Sequence, residues 1–415
     1  MAGFFEVDTI EKVKPVQRTI PACGSCGLKR KCISGPLKPV GKGKKKILII
    51  GQAPSKKEDS RGRLLKGAGT EILSYELEKY GIDLWRDCLK MNAIKCYTKK
   101  QKIDHLRTHI NACRPHVLKV IKEYKPKLII VAGGAAIESI IGHRVSQIGS
   151  INKWRGYCIP DREFKAWVCP VYHPNFLRND KTGAAEMVFE QDINLIQYHL
   201  KKPVPTFPDE SKNVKILDHA YDIQQFLIRL LKNPPPLAAI DWETTGLKPH
   251  HPNHKIVSCA ITHKPDHAVA FMVTNRIRKL LCKFLTCGEI KKIAANLKFE
   301  EVWSREKLGV SVAGWIWDTM LAEHVLDNRS GITGLKFQTY VHYGLDNYDG
   351  HLSHLLTSDD KSMGKNAFNK IHKIPVRELL IYNGLDTIFE YRRAIDQMKR
   401  FGILDPLHYA KNYRG

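Results

Sequence analysis

Short apolar runs that end at glycine predict strands in the first half of the chain. The apolar run in residues 44–50 ends directly before Gly51, and the run in residues 127–134 ends in two glycines. A buried strand that enters a turn commonly has this pattern. Residues 102–124, between them, carry apolar positions at helical spacing. Because apolar strands that alternate with helices favour a parallel sheet covered by helices, we predict an α/β layer here.

The second half repeats this pattern after a polar break. Residues 201–214 are rich in proline and polar residues and lack apolar periodicity, which is typical of a linker. A new apolar strand follows at 237–240, and a long helical stretch begins at about Pro375, since proline suits the first turn of a helix. We therefore predict an α/β protein of two domains, residues 1–205 and 206–415.

The charge of the chain indicates a nucleic-acid partner. The 415 residues have a formal net charge of +25, and an excess that large is typical of proteins that bind nucleic acid. No apolar run is long enough for a membrane span, and the first eight residues do not resemble a signal peptide. We therefore expect a cytoplasmic protein whose eleven cysteines are metal ligands or buried thiols rather than disulfides.

Acidic residues in three separated segments form a candidate metal site in the second half. Asp241 and Glu243 directly follow the predicted strand, and side chains two apart in a strand point to the same face. Tyr382 and Asp386 are four apart in the predicted C-terminal helix and share one of its faces. Glu300 lies between these segments. Crowded carboxylates repel one another unless cations lie between them, so the set indicates hard divalent ions.

These segments resemble, in order, the three exonuclease motifs of the DEDD superfamily, most closely those of the proofreading domain of family A DNA polymerases. The likeness covers about residues 215–400. It implies a ribonuclease H-like domain with a mixed sheet and two Mg²⁺ or Mn²⁺ ions that hydrolyse DNA from its 3′ end. Asp241 would bridge both ions, while Glu243 and Asp386 would complete the site that activates water. Tyr382 would orient that water.

One residue departs from the pattern of this family. The second motif usually ends in aspartate, whereas this chain has Glu300, which the resemblance implies would help to hold the second ion. The longer side chain keeps the charge and shifts its reach by one methylene, so we expect altered rather than lost activity. Asp318 is the alternative carboxylate, but its position just before Met320 favours a role in capping a helix.

Cysteines of the first half form a second candidate metal site. Cys23 and Cys26 form a Cys-x-x-Cys pair, and Cys96 and Cys113 lie in two more distant segments. Four thiolates from separate segments can hold a [4Fe–4S] cluster or a zinc ion, and composition does not distinguish the two. Cys32 is not assigned to this set, and we expect it to be a local buried or solvent-exposed thiol.

The first half resembles the iron–sulfur (family 4) uracil-DNA glycosylases over about residues 20–200. The motifs that carry the resemblance follow in the family's order: Gly51-Gln52-Ala53-Pro54-Ser55, Gly67-Ala68-Gly69, Asn92-Ala93-Ile94-Lys95-Cys96, Cys113-Arg114-Pro115, Trp154-Arg155-Gly156 and His173-Pro174-Asn175. The resemblance implies an α/β/α sandwich, a [4Fe–4S] cluster on the four cysteines, and a pocket for a base flipped out of DNA. Asn92 would read the base edge, His173 would stabilise the departing uracil, and backbone amides of residues 51–55 would approach the site.

Two departures affect the chemistry of this pocket. Gln52 stands where the family has glutamate, and an amide cannot act as a general base. Leu64 and Leu65 stand where the family has Pro-Phe, so we expect no aromatic wall for base stacking. Three interpretations follow: a DNA-binding module without glycosylase activity, a glycosylase of weak or altered specificity, and a structural adaptor.

The combined interpretation is a 3′→5′ proofreading-type DNA exonuclease fused to a glycosylase-like DNA-binding domain. Phage-type family A polymerases sometimes carry such an extension, so we expect a role in phage-type replication or repair, in a bacterial or phage-infected cell. A DNA polymerase is the expected partner, as a separate chain or a further domain. The alternatives are an active uracil-DNA glycosylase of base-excision repair and a non-catalytic polymerase accessory factor.

Overall fold

The chain divides into two compact units. In this computed structural model the first unit comprises residues 1–207 with 340–346, and the second comprises 208–339 with 347–415. The described residues are 21–413 without 65–66, 100–102, 146–147, 346–347, 349, 359–363 and 365–366. The segment tested for a signal peptide and Leu65 lie outside the described residues. No described helix combines the length and apolar character that crossing a membrane requires.

A five-stranded sheet forms the centre of the first unit. Its strands are β1 (Ile47–Gly51), β2 (Cys88–Asn92), β3 (Leu128–Ala132), β4 (Ile159–Asp161) and β5 (Ala166–Val171). They lie in the order β2-β1-β3-β5-β4, and all neighbours are parallel except β4 and β5. The predicted parallel sheet is confirmed. The first strand starts three residues later than predicted, because Lys46 has a left-handed φ of 57° that interrupts the extended chain.

Helices cover this sheet and connect its strands. They are α1 (Cys23–Cys26), α2 (Lys56–Arg61), α3 (Ala68–Glu78), α4 (Ile103–Tyr124), α5 (Gly134–Ile141), α6 (Ile151–Trp154), α7 (Pro174–Leu177) and α8 (Ala184–Leu200). The helix predicted at 102–124 is confirmed as α4. Fully buried apolar side chains of the strands pack against those of the helices, for example Ile47 and Leu128 with Phe189 of α8.

A six-stranded mixed sheet forms the centre of the second unit. Its strands are β6 (Val214–Leu217), β7 (Leu237–Thr244), β8 (Ile256–Lys264), β9 (His267–Met272), β10 (Lys291–Ala294) and β11 (Trp315–Asp318). They lie in the order β11-β10-β7-β8-β9-β6, with β7 parallel to β10 and antiparallel to β8. The strand predicted at 237–240 continues to Thr244, so Asp241 and Glu243 lie within it rather than after it.

One long helix of the second unit packs along this sheet. The helices are α9 (Ala220–Lys232), α10 (Asn275–Thr286), α11 (Lys298–Trp303), α12 (Thr319–Leu326), α13 (Leu335–Tyr343), α14 (Ser353–Leu356), α15 (Val376–Arg400) and α16 (Pro406–Asn412). Residues 340–343 of α13 belong to the first unit. The long helix predicted from about Pro375 is α15. Gly384 allows its close approach to β6, because a Cβ at this position would lie 2.4 Å from the Val214 side chain.

Candidate metal centre and base pocket

Strand β7 and helix α15 bring three carboxylates together. Asp241 and Glu243 are two apart in β7, and Asp386 lies in α15. Each offers a carboxylate oxygen, and these oxygens lie within 4.8 Å of one another, a grouping that no other described His, Cys, Asp or Glu residues form. Hard oxygen ligands at this spacing suit Mg²⁺ or Mn²⁺, so the donor set fits the divalent ion that the sequence predicts.

The crowding of these acids changes their protonation. Burial, and then the charge of Asp386, raises the pKa of Asp241 well above its ordinary value. The Asn383 amide donates a hydrogen bond of 2.5 Å to Asp241 Oδ2, and its oxygen accepts one of 3.1 Å from Ser258. Asn383 therefore holds the Asp241 carboxylate in one orientation, and further positive charge beside it would favour its ionised form.

Glu300 lies beside these acids but outside the group of three. It occupies the first turn of α11, is 2% exposed, and its Oε2 has no hydrogen-bond partner among the described residues. Burial, and then the charge of Asp241, raises the pKa of Glu300 well above its ordinary value. The indole of Trp242, between the two acids of β7, donates to the Glu300 carbonyl at 3.3 Å and ties α11 to the strand.

Asp318 is a capping residue, as the sequence predicts. Its carboxylate accepts hydrogen bonds from the backbone N–H groups of Met320 and Leu321 at the start of α12. It also accepts from those of Asn296 and Leu297, at 3.1 and 3.0 Å. Asn296 has a left-handed φ of 65°, so Asp318 supports a strained turn just before the Glu300 helix.

Sequence reasoning missed a further buried acid in this site. Glu390 lies one turn after Asp386 in α15, its Oε1 accepts from the Ala295 N–H at 3.3 Å, and its Oε2 has no partner among the described residues. Burial, and then the charge of Asp241, raises the pKa of Glu390. The spacing of four from Asp386 was a usable signal, since such residues share a helical face.

Two residues from another part of the chain also reach the acids. Lys336 of α13 forms an ion pair with Asp386, and the Tyr348 hydroxyl donates a hydrogen bond to the same carboxylate oxygen. The Lys336 ammonium lies 3.9 Å from the centre of the Tyr348 ring and 4.1 Å from that of Tyr382. Burial, and then the charge of Asp386, raises the pKa of Tyr382. No local pattern in the sequence indicated Lys336 or Tyr348.

In the first unit, the six residues predicted for the base pocket line one cavity. This cavity of about 810 Å³ is lined by Gly51, Gln52, Ala53, Pro54, Asn92 and His173. Gly51 and Asn92 end the adjacent parallel strands β1 and β2. A Cβ on Gly51 would lie 2.6 Å from the Asn92 side-chain oxygen, so a larger residue here would displace the Asn92 amide.

The geometry of His173 fixes its tautomer. Its Nδ1 accepts the N–H of Asn175 at 3.2 Å, which caps α7, so the neutral ring carries its proton on Nε2. Burial lowers the pKa of His173 and keeps the ring neutral. A neutral Nε2–H can donate to an anionic group in the cavity.

The sequence predicted no aromatic wall for this cavity, and the structure differs. Leu64 lines it, as the sequence suggested, but Tyr97 and Phe176 line it as well. These rings come from segments other than the one in which the family carries its phenylalanine. The candidate base pocket therefore has aromatic side chains in its wall, and position 52 carries an amide where the family has a carboxylate.

The four predicted cluster ligands line a second, small cavity. Cys23 and Cys26 lie in α1, Cys113 lies in α4, and Cys96 follows β2. Burial, and then the charge of Cys32, raises the pKa of Cys96 to about 12, and burial raises that of Cys113 to about 11. Such thiols require bound positive charge to become thiolates, which fits an iron or zinc centre.

Histidines of α4 flank this cavity, and sequence reasoning missed them. His109 Nδ1 lies 3.2 Å from Cys26 Sγ, and His116 Nε2 lies 3.7 Å from Cys23 Sγ. Together with Cys113 they occupy one face of the helix at spacings of four and three, which was the available signal. Cys32, predicted to be a local thiol, lies beside Cys96 and donates to the Tyr97 carbonyl.

Family comparisons agree with this division of the chain. Residues 39–196 match the uracil DNA glycosylase superfamily, and residues 216–398 match a 3′-5′ exonuclease family of the DNA polymerase A type. Both resemblances predicted from the sequence, and the α/β fold class, are thereby confirmed.

Individual relatives cover different parts of the chain. A DNA polymerase of Bacillus phage SP01 is 24% identical over 323 residues, which cover 71% of this chain and 34% of the polymerase. The type-4 uracil-DNA glycosylase of Thermotoga maritima is 27% identical over 182 residues, covering 42% of this chain and 91% of the glycosylase. That of Sulfurisphaera tokodaii is 28% identical, covering 40% and 75%. The chain thus spans about a third of the phage polymerase.

Solved structures align with about half of the chain. Brucella melitensis NrnC bound to pGG has 18% identity, a TM-score of 0.33, and coverage of 48% of this chain and 85% of that one. The complex of Trypanosoma brucei RNase D with GMP has 15% identity, a TM-score of 0.35, and coverage of 49% and 62%.

Proposed function

Because this chain carries a uracil DNA glycosylase superfamily domain followed by a 3′-5′ exonuclease domain, we propose that it is a metal-dependent 3′→5′ DNA exonuclease of the proofreading type. The observation that carries the proposal is the convergence of Asp241, Glu243 and Asp386 from a strand and a distant helix. Their mutual repulsion raises the free energy of the fold, and a divalent ion between them would offset it.

The residues of the site have separate roles in this proposal. Asp241, Glu243 and Asp386 would hold divalent ions, which supply an ionised water and neutralise charge on the phosphate. Glu300 would add a fourth carboxylate, since its buried Oε2 has no partner among the described residues. Asn383 orients Asp241, and Tyr382 contributes a hydroxyl one turn from Asp386 for positioning the attacking water.

A nuclease assay on a 5′-labelled strand tests this function. We expect the strand to shorten one nucleotide at a time with Mg²⁺ or Mn²⁺ and to remain intact in EDTA. Asp241→Ala should slow shortening by about a thousandfold, because loss of the ion removes several kcal/mol of transition-state stabilisation. Asp266→Ala, in the exposed turn between β8 and β9, is the matched control and should retain activity. Full activity of the Asp241 variant would contradict the assignment.

The first unit acts as a DNA-binding module in this proposal. Its cavity has an amide at position 52, where a glycosylase of this family would have a carboxylate. The aromatic faces of Tyr97 and Phe176, with the Asn92 amide and the neutral His173, suit binding of an unstacked base more than its excision. A [4Fe–4S] cluster on Cys23, Cys26, Cys96 and Cys113 would fix the fold around this pocket.

The relationship to a phage polymerase supports a wider setting for the protein. The SP01 DNA polymerase aligns with both halves of the chain, over 323 residues. We therefore propose that the protein works beside a DNA polymerase, as a separate chain or a linked domain, in a bacterial or phage-infected cell. The net charge of +25 supports binding to primer–template or single-stranded DNA.

A further inference from the structure

Lys336 places a positive charge where a metal ligand should be available. Its ammonium pairs with Asp386, one of the three acids that converge on the proposed ion. The side chain of Asp386 is only 7% exposed, whereas that of Lys336 is 36% exposed. The lysine thus approaches the acid from the solvent side of the site.

Two aromatic rings limit where the ammonium can go. It lies close to the faces of Tyr348 and Tyr382, at 3.9 and 4.1 Å from their centres. Cation–π attraction holds it there independently of its contact with Asp386. The Tyr348 hydroxyl donates to the same oxygen of Asp386, so this oxygen already has two donors.

A divalent ion on either oxygen of Asp386 disfavours this arrangement. The ammonium and the ion compete for the same carboxylate, and they repel each other across the few ångströms between them. Cation–π attraction to the two rings would keep the displaced ammonium on the solvent side of the site. In the proposed exonuclease reaction, a phosphate of the bound strand would be the negative group that approaches this side of the site.

We propose that Lys336 is an internal competitor for metal at Asp386 that becomes a contact to the substrate phosphate once the ion binds. This inference rests on the proposed exonuclease function. It makes Lys336 a substrate-binding residue that couples metal binding to DNA binding, because the ion frees the ammonium that the phosphate requires.

The two halves of the proposal predict opposite changes in one variant. In Lys336→Met, the metal-free 415-residue chain should bind Mn²⁺ about tenfold more tightly, because the competing charge is removed. The same variant should bind a fluorescein-labelled single strand more weakly in Ca²⁺, and the slope of log affinity against log salt should fall by about one. A residue with only a structural role would weaken both.

Three further variants make the experiment decisive. Mn²⁺ binding is followed by electron paramagnetic resonance of the free ion, and only sites lost in Asp241→Asn are counted. Lys336→Arg keeps the charge and should stay near wild type. Lys279→Met removes an equal charge from exposed α10 and should leave Mn²⁺ affinity unchanged.

The outcomes separate this inference from the function on which it rests. Unchanged or weaker Mn²⁺ binding in Lys336→Met overturns the competition, and an unchanged salt slope overturns the phosphate contact. Neither result affects the exonuclease assignment. A wild-type protein that has no Mn²⁺ site sensitive to Asp241→Asn overturns both.

Discussion

At the scale of single residues, the second unit buries more carboxyl groups close together than can all be ionised at neutral pH. Asp241, Glu300 and Glu390 are all shifted towards their protonated forms by burial and by the other acids. Lys336 offsets part of this charge at Asp386. The metal-free site is therefore a source of instability that a divalent ion relieves, so substitutions here should affect activity and stability in opposite directions.

Asp241→Asn should stabilise the metal-free protein while abolishing activity. A carboxyl whose folded-state pKa is raised binds more protons when folded, so its contribution to stability falls as pH rises from about 4 through that raised pKa. The asparagine variant lacks this fall. We expect its melting temperature, measured in EDTA by differential scanning fluorimetry, to exceed that of wild type by a margin that grows from pH 5 to pH 8.

Magnesium should reverse that order. Wild type should gain melting temperature when Mg²⁺ is added at pH 8, because the ion binds only the folded state, whereas Asp241→Asn should not. If Asp241→Asn melts at a lower temperature than wild type in EDTA at pH 8, repulsion at Asp241 does not determine the stability of the site.

Gln52 is the single residue at which the proposed loss of glycosylase activity can be tested. Wild-type protein should release no uracil from uracil-containing DNA, measured as alkali-labile product. Gln52→Glu should raise this release by about a hundredfold or more above background, since general-base catalysis contributes that much. Gln52→Ala serves as the control without a carboxylate. Rapid uracil release by wild type would instead favour the active-glycosylase alternative.

At the scale of elements, one aspartate joins two parts of the exonuclease fold. Asp318 ends β11, caps α12, and accepts the backbone N–H groups of the Asn296 turn that leads into α11. The Glu300 helix is also tied to β7 through the Trp242 indole. The position of Glu300 therefore depends on hydrogen bonds to two neighbouring strands, β7 and β11, as well as on its own helix.

Asp318→Ala should destabilise the protein without removing a metal ligand. Loss of the cap and of the acceptor for the Asn296 turn should cost about 2–4 kcal/mol. Urea unfolding of the full chain should show a lower midpoint with Mg²⁺ absent. Asp318→Asn retains one acceptor oxygen and should lose about half as much. Equal stability of the alanine variant and wild type would contradict the capping role.

At the scale of the whole molecule, each unit has a centre assembled from distant segments. In the first unit, the Cys-x-x-Cys of α1 meets Cys113 of α4 and Cys96 beyond β2 around one cavity. In the second, β7 meets the helix α15, which begins more than 130 residues later. Cofactor binding at either centre should therefore stabilise contacts between segments that are far apart in the chain.

Anaerobically purified protein should be brown and contain acid-labile sulfide. Cys113→Ser should lose the visible absorbance and the sulfide, because it removes one of four ligands. Cys32→Ser is the matched control, since Cys32 lies beside Cys96 and is not one of the four proposed ligands. Colourless wild-type protein with one bound zinc per chain would favour the zinc alternative.

The sequence by itself determined the α/β fold class, several of its elements and the three carboxylates that the structure brings together. Apolar runs marked β1, β3 and β7, and spacings of two in a strand and four in a helix identified Asp241, Glu243, Tyr382 and Asp386. These features are local, because periodicity fixes which side chains share a face whatever the element packs against. The families followed from motif order, which is equally a property of the sequence.

Only the tertiary structure decided what surrounds those residues. The pairing of Lys336 and Tyr348 with Asp386, the aromatic walls of Tyr97 and Phe176, and the approach of Glu390 to Asp241 depend on how elements pack. Such contacts join residues 38 to 149 positions apart, and no local pattern encodes them. The positive charge of Lys336 beside the acids could not be predicted for the same reason, because only folding of the whole unit brings these separate segments together.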